Sequence, residues 1–142
     1  MKKLVIAGCG RLAEIVVEAL LQGILPEYEL VGVYSRTVAK TEKLALKLRR
    51  HGKSCTPCHS LEDLLALKPD YLVEATSPAG MKELALPTLK NGTSIITLSI
   101  GALADTDFYD TVKETARATG SRVYIASGAT GGFDVLRTAT LM

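Results

Sequence analysis

Short apolar runs alternate with segments of helical period along the whole chain. Residues 3–7 (KLVIA) are almost entirely apolar, which is typical of a strand that is buried on both faces. Residues 11–22 carry apolar side chains three and four positions apart, which predicts an amphipathic helix. The same alternation predicts further strands at 29–34, 54–58, 70–75, 94–98 and 122–126, and further helices at 38–50, 60–67, 79–90 and 105–118.

Strands that alternate with helices form βαβ units, whose strands pair in parallel and whose crossovers are right-handed. This pattern predicts an α/β fold of the Rossmann type: a doubly wound parallel sheet of about six strands, in the order 3-2-1-4-5-6, with helices on both faces. Ligands in such sheets bind at the carboxyl ends of the strands. Pro87 lies inside a predicted helix, where its missing N–H predicts a kink or a split.

The composition is that of one soluble globular domain. The chain has 142 residues, of which 47% are hydrophobic, and its 17 basic and 15 acidic residues give a net charge of +2. So small an excess predicts neither nucleic-acid binding nor attachment to an anionic membrane. No apolar stretch is long enough to span a membrane, and the apolar run at residues 4–7 is too short for a signal peptide. We therefore expect a cytoplasmic protein with free cysteines.

Cys55, Cys58 and His59 match the haem-attachment pattern C-x-x-C-H. Haem of this type requires export, which nothing at the start of the chain supports. A redox pair would need a thiol at a helix N-terminus, whereas the predicted helix begins near Ser60, a favourable N-cap. We interpret both cysteines as small apolar residues of a short strand, with haem, zinc and redox chemistry as the alternatives. Cys9, between two glycines, is interpreted in the same way.

A glycine motif lies between the first predicted strand and the first predicted helix. Gly8, Gly10 and Ala13 form the pattern G-x-G-x-x-A. Gly8 allows a tight turn, Gly10 lets the backbone approach a pyrophosphate, and Ala13 is small enough for close helix packing. The N–H groups of Arg11 and Leu12 then point towards the phosphates from the helix N-terminus. The motif and its position predict a nicotinamide dinucleotide site, the alternative being a glycine turn without a dinucleotide.

The residues after the second predicted strand bear on which nicotinamide cofactor binds. NAD sites carry an acidic residue there for the ribose 2′-hydroxyl, whereas this chain has Ser35 and Arg36, with Lys40 one turn later. Ser35 can donate a hydrogen bond to a 2′-phosphate, and Arg36 can bind it through two hydrogen bonds. We therefore favour NADP over NAD as the cofactor. Arg36 can equally stack on the adenine of either cofactor.

Small and hydroxyl-bearing residues follow the strands in the second half of the chain. They leave room for a ribose and a nicotinamide, and their hydroxyls can bond the ribose or a substrate carboxylate, or else cap a helix. The predicted cofactor contacts here are Ala75, Thr76, Ser77, Ser99 and Gly101, and Ser127 offers a further hydroxyl. Glu74 lies inside the fourth predicted strand, and we interpret it as a buried polar residue with a structural partner and no catalytic role.

Three motifs at these strand ends resemble the amino-terminal domain of the L-aspartate dehydrogenase family: residues 73–77 (VEATS), 99–105 (SIGALAD) and 127–134 (SGATGGFD). The cofactor domains of homoserine dehydrogenase and dihydrodipicolinate reductase are similar, but their strand-end motifs match less well. The resemblance implies reversible NAD(P)-dependent oxidation of L-aspartate to iminoaspartate, a step that can supply NAD biosynthesis. It also implies that Ala129 contacts the nicotinamide end of the cofactor, and that the complete protein is a homodimer.

The chain departs from the family in two ways. Ser35 stands where family members often carry an acidic residue. The family also continues into a second domain with the catalytic histidine, whereas this chain has only His51 and His59, neither at a strand end that faces the nicotinamide. We therefore expect residues 1–132 to form the NAD(P)-binding domain and residues 133–142 to begin a helix that leads to a catalytic domain outside the chain. No catalytic residue or metal ligand is predicted within the chain, which is expected to be inactive alone.

Two other functions are compatible with the same motifs. A homoserine dehydrogenase-like enzyme would share the cofactor domain, and a non-catalytic NAD(P)-sensing domain would share the glycine turn. For the sensing domain, the apolar residues of the final predicted helix would be a surface for dimerisation or signalling.

Overall fold

The computed structural model describes residues 1–125. The strands in this part of the chain are β1 (Lys2–Ala7), β2 (Tyr28–Tyr34), β3 (Thr56–Cys58), β4 (Tyr71–Glu74), β5 (Ser94–Thr97) and β6 (Val123–Ile125). The helices are α1 (Arg11–Leu21), α2 (Val38–Arg50), α3 (Leu61–Ala66), α4 (Pro78–Lys90), a 3-10 helix (Ile100–Ala104) and α5 (Thr106–Thr119). Ser127, the predicted cofactor contact Ala129 and the predicted linking helix lie outside the described residues.

The six strands form one parallel sheet in the order β3-β2-β1-β4-β5-β6. β1 lies at the centre, where Leu4 pairs with Leu30 of β2 on one side and with Tyr71 of β4 on the other. Every pairing is parallel, so the carboxyl ends of all six strands lie at one edge, and the strand order reverses between β1 and β4. This topology confirms the predicted doubly wound α/β fold.

Apolar side chains cover both faces of the sheet. Successive residues of a strand point to opposite faces, so Leu4 and Ile6 of β1 join one buried cluster and Val5 and Ala7 join another. Residues of α1 and α2 complete the first cluster, and residues of α3, α4 and α5 complete the second. The side chains of these four residues of β1 are fully buried. A continuous apolar run is therefore what a central parallel strand requires.

Pro87 does not split α4, which runs without interruption from Pro78 to Lys90. The predicted split is absent, and the ladder resumes after the proline, where the N–H of Asn91 donates to the carbonyl of Pro87 at 3.1 Å. The hydroxyl of Thr88 also donates to the Leu84 carbonyl at 2.6 Å. Pro87 itself is exposed, so its ring meets no tightly packed neighbour at this surface.

Two further differences concern short elements. The 3-10 helix has five residues, too few to show a period in the sequence. β3 begins at Thr56, where it pairs with Gly32 of β2, rather than at residue 54. The extent of the 3-10 helix and the start of β3 are set by hydrogen-bond pairing rather than by the residue pattern. Within residues 1–125, no helix combines the length and the apolar character needed to cross a membrane.

Candidate cofactor site

Gly8 ends β1 in a conformation that only glycine adopts easily. Its φ is +110°, and a Cβ at this position would lie 2.3 Å from the carbonyl oxygen of Ala75. Its N–H donates to the Tyr34 carbonyl at 2.7 Å. The turn therefore holds the carboxyl ends of β1, β2 and β4 together, and any side chain at position 8 would force them apart.

Gly10 leaves the N-terminus of α1 open. It is the N-cap of the helix, and a Cβ there would meet nothing within 4 Å. Arg11 and Leu12 are exposed in the first turn, and Ala13 is fully buried against the sheet. The first N–H groups of a helix lack acceptors within the helix, and the helix dipole favours an anion beside them. The turn thus fits the pyrophosphate that its sequence predicts.

A cavity of about 530 Å³ adjoins this turn. The predicted residues that line it are Gly8, Gly10, Ser35, Arg36, Ala75, Thr76 and Ser77. Arg11 lines a neighbouring cavity of about 700 Å³, which shares Cys9, Gly10 and Lys40 with the first. The first cavity falls in the range of small-molecule and cofactor sites, roughly 300–1,000 Å³. The structure therefore brings together the predicted contacts from the ends of β1, β2 and β4.

Ser35 uses its hydroxyl to shape the connection between β2 and α2. The hydroxyl oxygen accepts from the N–H of Thr37 at 3.3 Å, and the hydroxyl donates to the carbonyl of Thr37 at 2.9 Å. It also lies 2.9 Å from the hydroxyl oxygen of Thr41. A 2′-phosphate would have to compete with these bonds for the Ser35 hydrogen.

Arg36 pairs with Glu83 of α4, a residue that the sequence analysis does not identify. Its Nη2 lies 2.5 Å from a carboxylate oxygen of Glu83. The pair joins the connection after β2 to α4 across the lining of the cavity. Both side chains are about 70% exposed, at 70% and 69%, so water and salt weaken the attraction. The hydrogen bond and charge of Glu83 raise the pKa of Arg36.

Ser77 caps α4, as its position before the helix allows. Its Oγ accepts from the N–H of Gly80 at 3.0 Å. A Cβ at Gly80 would lie 2.3 Å from the hydroxyl oxygen of Thr76, so glycine leaves the room that Thr76 occupies. Gly101 approaches the same helix start, since a Cβ there would lie 3.3 Å from Cγ of Pro78. Small residues thus allow the ends of β4 and β5 to approach α4.

Glu74, the last residue of β4, is fully buried and accepts five hydrogen bonds. Oε2 accepts from the N–H of Thr76 at 2.8 Å and from the hydroxyls of Thr76 at 2.6 Å and Ser99 at 2.9 Å. Oε1 accepts from the hydroxyl of Thr97 at 2.6 Å and from the N–H of Ser99 at 3.2 Å. The carboxylate therefore connects the carboxyl ends of β4 and β5, and places Ser99 beside Thr76.

The cysteines are buried free thiols. Cys55 and Cys58 are each 3% exposed, and burial, with the neighbouring Cys58, raises the pKa of Cys55 to about 12. Burial also raises the pKa of Cys9, whose sulfur lies 3.9 Å from the hydroxyl oxygen of Thr41. Redox chemistry requires thiolates, which burial disfavours. Within residues 1–125, no group of side chains is suited to hold a metal ion. The burial of the three thiols supports the interpretation of the cysteines as packing residues.

The two histidines make surface contacts. Nδ1 of His51 lies 2.8 Å from the Lys47 carbonyl within α2. Nε2 of His59 lies 3.5 Å from a carboxylate oxygen of Glu42, and both side chains are at least half exposed. Of the two cavities beside the glycine turn, His51 lines the one that contains Arg11, and His59 lines neither.

Curated relatives match nearly the whole chain. The L-aspartate dehydrogenase of Methanococcus maripaludis strain C6 is 32% identical over 141 residues, which are 99% of this chain and 51% of that protein. The L-aspartate dehydrogenase of Archaeoglobus fulgidus is 46% identical over 80 residues, which are 56% of this chain and 34% of that protein. The chain thus spans about half the length, 51%, of the curated relative that matches it from end to end.

Solved structures share the fold at lower identity. The WlbA dehydrogenase from Bordetella pertussis, in complex with NADH and UDP-GlcNAcA, has a TM-score of 0.68 and 18% identity, over 88% of this chain and 37% of that chain. An NAD-binding protein from Listeria innocua has a TM-score of 0.68 and 23% identity, over 87% of this chain and 34% of that chain. At these identities the likeness shows the fold alone.

A family model also matches most of the chain. The model described as "Homoserine dehydrogenase, NAD binding domain" matches residues 8–126, which begin at the first glycine of the turn and include every strand after β1. The resemblance noted in the sequence motifs is therefore confirmed. The chain belongs to the family of homoserine dehydrogenase NAD-binding domains, and the relatives that it matches over nearly its whole length are L-aspartate dehydrogenases.

Proposed function

We propose that the chain binds a nicotinamide dinucleotide along the carboxyl edge of its sheet, in a protein that oxidises L-aspartate to iminoaspartate. The observation that carries the proposal is the glycine turn, at which the uncovered N-terminus of α1 meets the cavity lined by the strand ends. The substrate is supported by the L-aspartate dehydrogenases that match 99% of the chain.

In this proposal, each half of the sheet binds one half of the cofactor. In a doubly wound sheet each half binds one mononucleotide, with the pyrophosphate at the first helix. The adenosine then lies by Ser35 and Arg36, the phosphates by Gly10 and Arg11, and the nicotinamide ribose by Thr76. Leu12 adds a backbone N–H beside the phosphates, and Ala75, Ser77, Ser99, Gly101 and Ala129 are proposed contacts of the nicotinamide half.

A bound nicotinamide would supply the hydride acceptor for oxidation at the α-carbon of the substrate. The amine must also lose a proton, and we assign no residue of this chain to accept it. His51 and His59 lie at the surface, away from the proposed nicotinamide half. The chain is therefore expected to bind the cofactor without turnover.

We favour NADP as the cofactor because the residues after β2 are basic rather than acidic. Arg36 and Lys40 line the cavity at its adenosine end, with Ser35 in place of a carboxylate. Glu83 partly offsets this preference through its ion pair with Arg36. NAD remains the alternative that the binding experiment separates.

A fluorescence titration of the chain with NADPH and with NADH tests the proposal. We expect both to bind, with a lower Kd for NADPH. A lower Kd for NADH would contradict the cofactor preference and leave the dinucleotide site standing. Absence of binding by both would contradict the cofactor site itself.

A homoserine dehydrogenase-like activity is the second candidate, favoured by the family model that matches residues 8–126. Both activities need the same cofactor domain, so the substrate must be tested on the parent protein. We expect reduction of the cofactor with L-aspartate and none with L-homoserine, and the reverse would favour the second candidate.

The proposal includes a cytoplasmic homodimer as the form of the parent protein. Buried free thiols suit a reducing compartment. Light scattering after size-exclusion chromatography of the parent protein tests the dimer, and a monomeric mass would contradict it.

A further inference from the structure

A fully buried carboxylate is costly unless hydrogen bonds replace the water that it loses. Glu74 is 0% exposed, and its two oxygens face five donors, all of them uncharged. Two of the donors are backbone N–H groups, of Thr76 and Ser99, which cannot reverse their role. The arrangement therefore suits a carboxylate, which only accepts.

This carboxylate fixes where the neighbouring hydroxyl hydrogens point. A hydroxyl has one hydrogen and two lone pairs. Thr76 gives its hydrogen to Glu74 at 2.6 Å, the other acceptor within reach being the Ser77 carbonyl oxygen at 3.4 Å. Ser99 gives its hydrogen to the same carboxylate oxygen at 2.9 Å. Both hydroxyl oxygens are thereby left with lone pairs alone for any further partner.

We propose that Glu74 is a positioning residue that makes Thr76 and Ser99 hydrogen-bond acceptors for the hydroxyls of the nicotinamide ribose. The inference rests on the proposed function, which puts this ribose at the ends of β4 and β5. Thr76 is exposed and lines the cavity beside the glycine turn, and Ser99 is half-buried. Ribose hydroxyls can donate to such acceptors. A substrate carboxylate cannot, which removes one of the two partners that the sequence predicts for these hydroxyls.

Glutamine cannot take over this role, although it has the same shape. Its amide has one oxygen and one NH₂ group. Each carboxylate oxygen of Glu74 faces a backbone N–H, that of Thr76 at 2.8 Å or that of Ser99 at 3.2 Å. In a Glu74→Gln variant, either orientation of the amide would therefore place the NH₂ group against an N–H donor. The hydroxyls near that group would turn their hydrogens elsewhere.

The test is calorimetric titration of the 142-residue chain with ADP, with ADP-ribose, which adds the terminal ribose, and with NADH, which adds the nicotinamide. The variants are Glu74→Gln and Ser99→Ala. We expect the unaltered chain to bind ADP-ribose more tightly than ADP. Each variant is expected to reduce that preference about fivefold, the value of one ordinary hydrogen bond, with the Kd for ADP changed less than about twofold.

Thr93→Val is the matched control. Thr93 is fully buried, and its hydroxyl donates to the Pro69 carbonyl at 2.9 Å, just before β5 begins at Ser94. It therefore lies at the opposite edge of the sheet from Glu74. Loss of the Thr93 hydroxyl leaves the buried Pro69 carbonyl without this donor. The preference for ADP-ribose over ADP is nevertheless expected to stay unchanged.

Each other result overturns the inference. An equal loss of ADP and ADP-ribose binding in both variants would show a structural role only, and an unchanged preference would show no role. If Glu74→Gln does not fold, an unchanged preference in Ser99→Ala still overturns the inference. If the variants bind ADP and ADP-ribose as the unaltered chain does but bind NADH more weakly, the hydroxyls contact the carboxamide of the nicotinamide instead of the ribose. Absence of NADH and ADP-ribose binding by the unaltered chain would contradict the proposed function, and the inference with it.

Discussion

Single residues at the turn and at its rim determine how the cofactor can approach. At Gly8 a side chain would be unfavourable for two reasons: the φ is positive, and a Cβ would lie 2.3 Å from the carbonyl oxygen of Ala75. We expect Gly8→Ala to lower the free energy of unfolding by about 3 kcal/mol and to abolish NADH binding, because β1 and β4 must separate. Urea unfolding and NADH fluorescence measure the two effects.

Gly52→Ala is the control for this substitution. Gly52 has a positive φ of 75° but open space around its Cβ position, so it isolates the conformational cost, about 1 kcal/mol. NADH binding should be unaffected, since Gly52 lies beyond α2. Equal losses of stability and binding in the two variants would show that the contact with Ala75 is unimportant.

Glu83 and Arg36 form the second pair of residues to test. Glu83→Gln removes the charge that competes with a 2′-phosphate for Arg36. We expect the affinity for NADPH to rise about threefold, within the range of an exposed ion pair, and that for NADH to change less. Added salt should shrink the gain. Glu62→Gln, in the same cavity, is the control, and an unchanged NADPH affinity in Glu83→Gln would show that Arg36 does not bind the 2′-phosphate.

Among the elements, α5 depends on a charged N-cap. The carboxylate of Asp105 accepts from Lys82 at 3.0 Å and from the N–H of Phe108 at 3.2 Å. These bonds hold the pKa of Asp105 below its usual range. A lowered pKa stabilises the fold at pH values above the unfolded-state pKa, about 3.9, and this contribution is lost as the pH falls through the folded-state value.

Asp105→Asn tests this charge, because asparagine also caps helices but cannot form the ion pair. We expect the unaltered chain to be the more stable at pH 6, by urea unfolding. The difference should shrink towards pH 3. A difference that stays constant over this range would mean that the Asp105 charge does not contribute.

The elements also show how far sequence patterns reach. α2 was predictable to the residue, at 38–50, because its apolar stripe is long and regular. The continuity of α4 through Pro87 was not, because the hydroxyl of Thr88 and the N–H of Asn91 complete the turn in ways that periodicity does not encode. Local spacing thus predicts an element, while hydrogen bonds at its ends set its limits.

At the scale of the whole molecule, the three cysteines are buried in the clusters that cover the two faces of the sheet. Cys9 and Cys55 belong to one buried cluster and Cys58 to the other. Because thiolates are the reactive species and burial raises the pKa values of these thiols, we expect none of them to react with a disulfide reagent at pH 8 within minutes. In urea all three should react. Rapid labelling of the folded chain, located by mass spectrometry, would contradict this packing.

For the candidate site, the sequence predicts which strand ends meet, but it does not predict which of their side chains pair. Gly8 and Gly10 carry a spacing that is meaningful by itself. The contacts between Arg36 and Glu83 and between Glu74 and Ser99 join residues 47 and 25 positions apart. Neither pair belongs to a local motif, so only the folded sheet shows that Arg36 has an acidic partner or that Glu74 orients two hydroxyls.

The central position of β1 has a consequence for synthesis on the ribosome. β1 is made before β4, yet one of its edges pairs with β4, and Lys3 and Asp70, which are hydrogen-bonded in the folded chain, lie 67 residues apart. At roughly 5–20 residues per second, that edge waits about 3 to 13 s for its partner. Until then the nascent half-sheet exposes an apolar strand edge, which is a substrate for chaperones and a site where two growing chains can join.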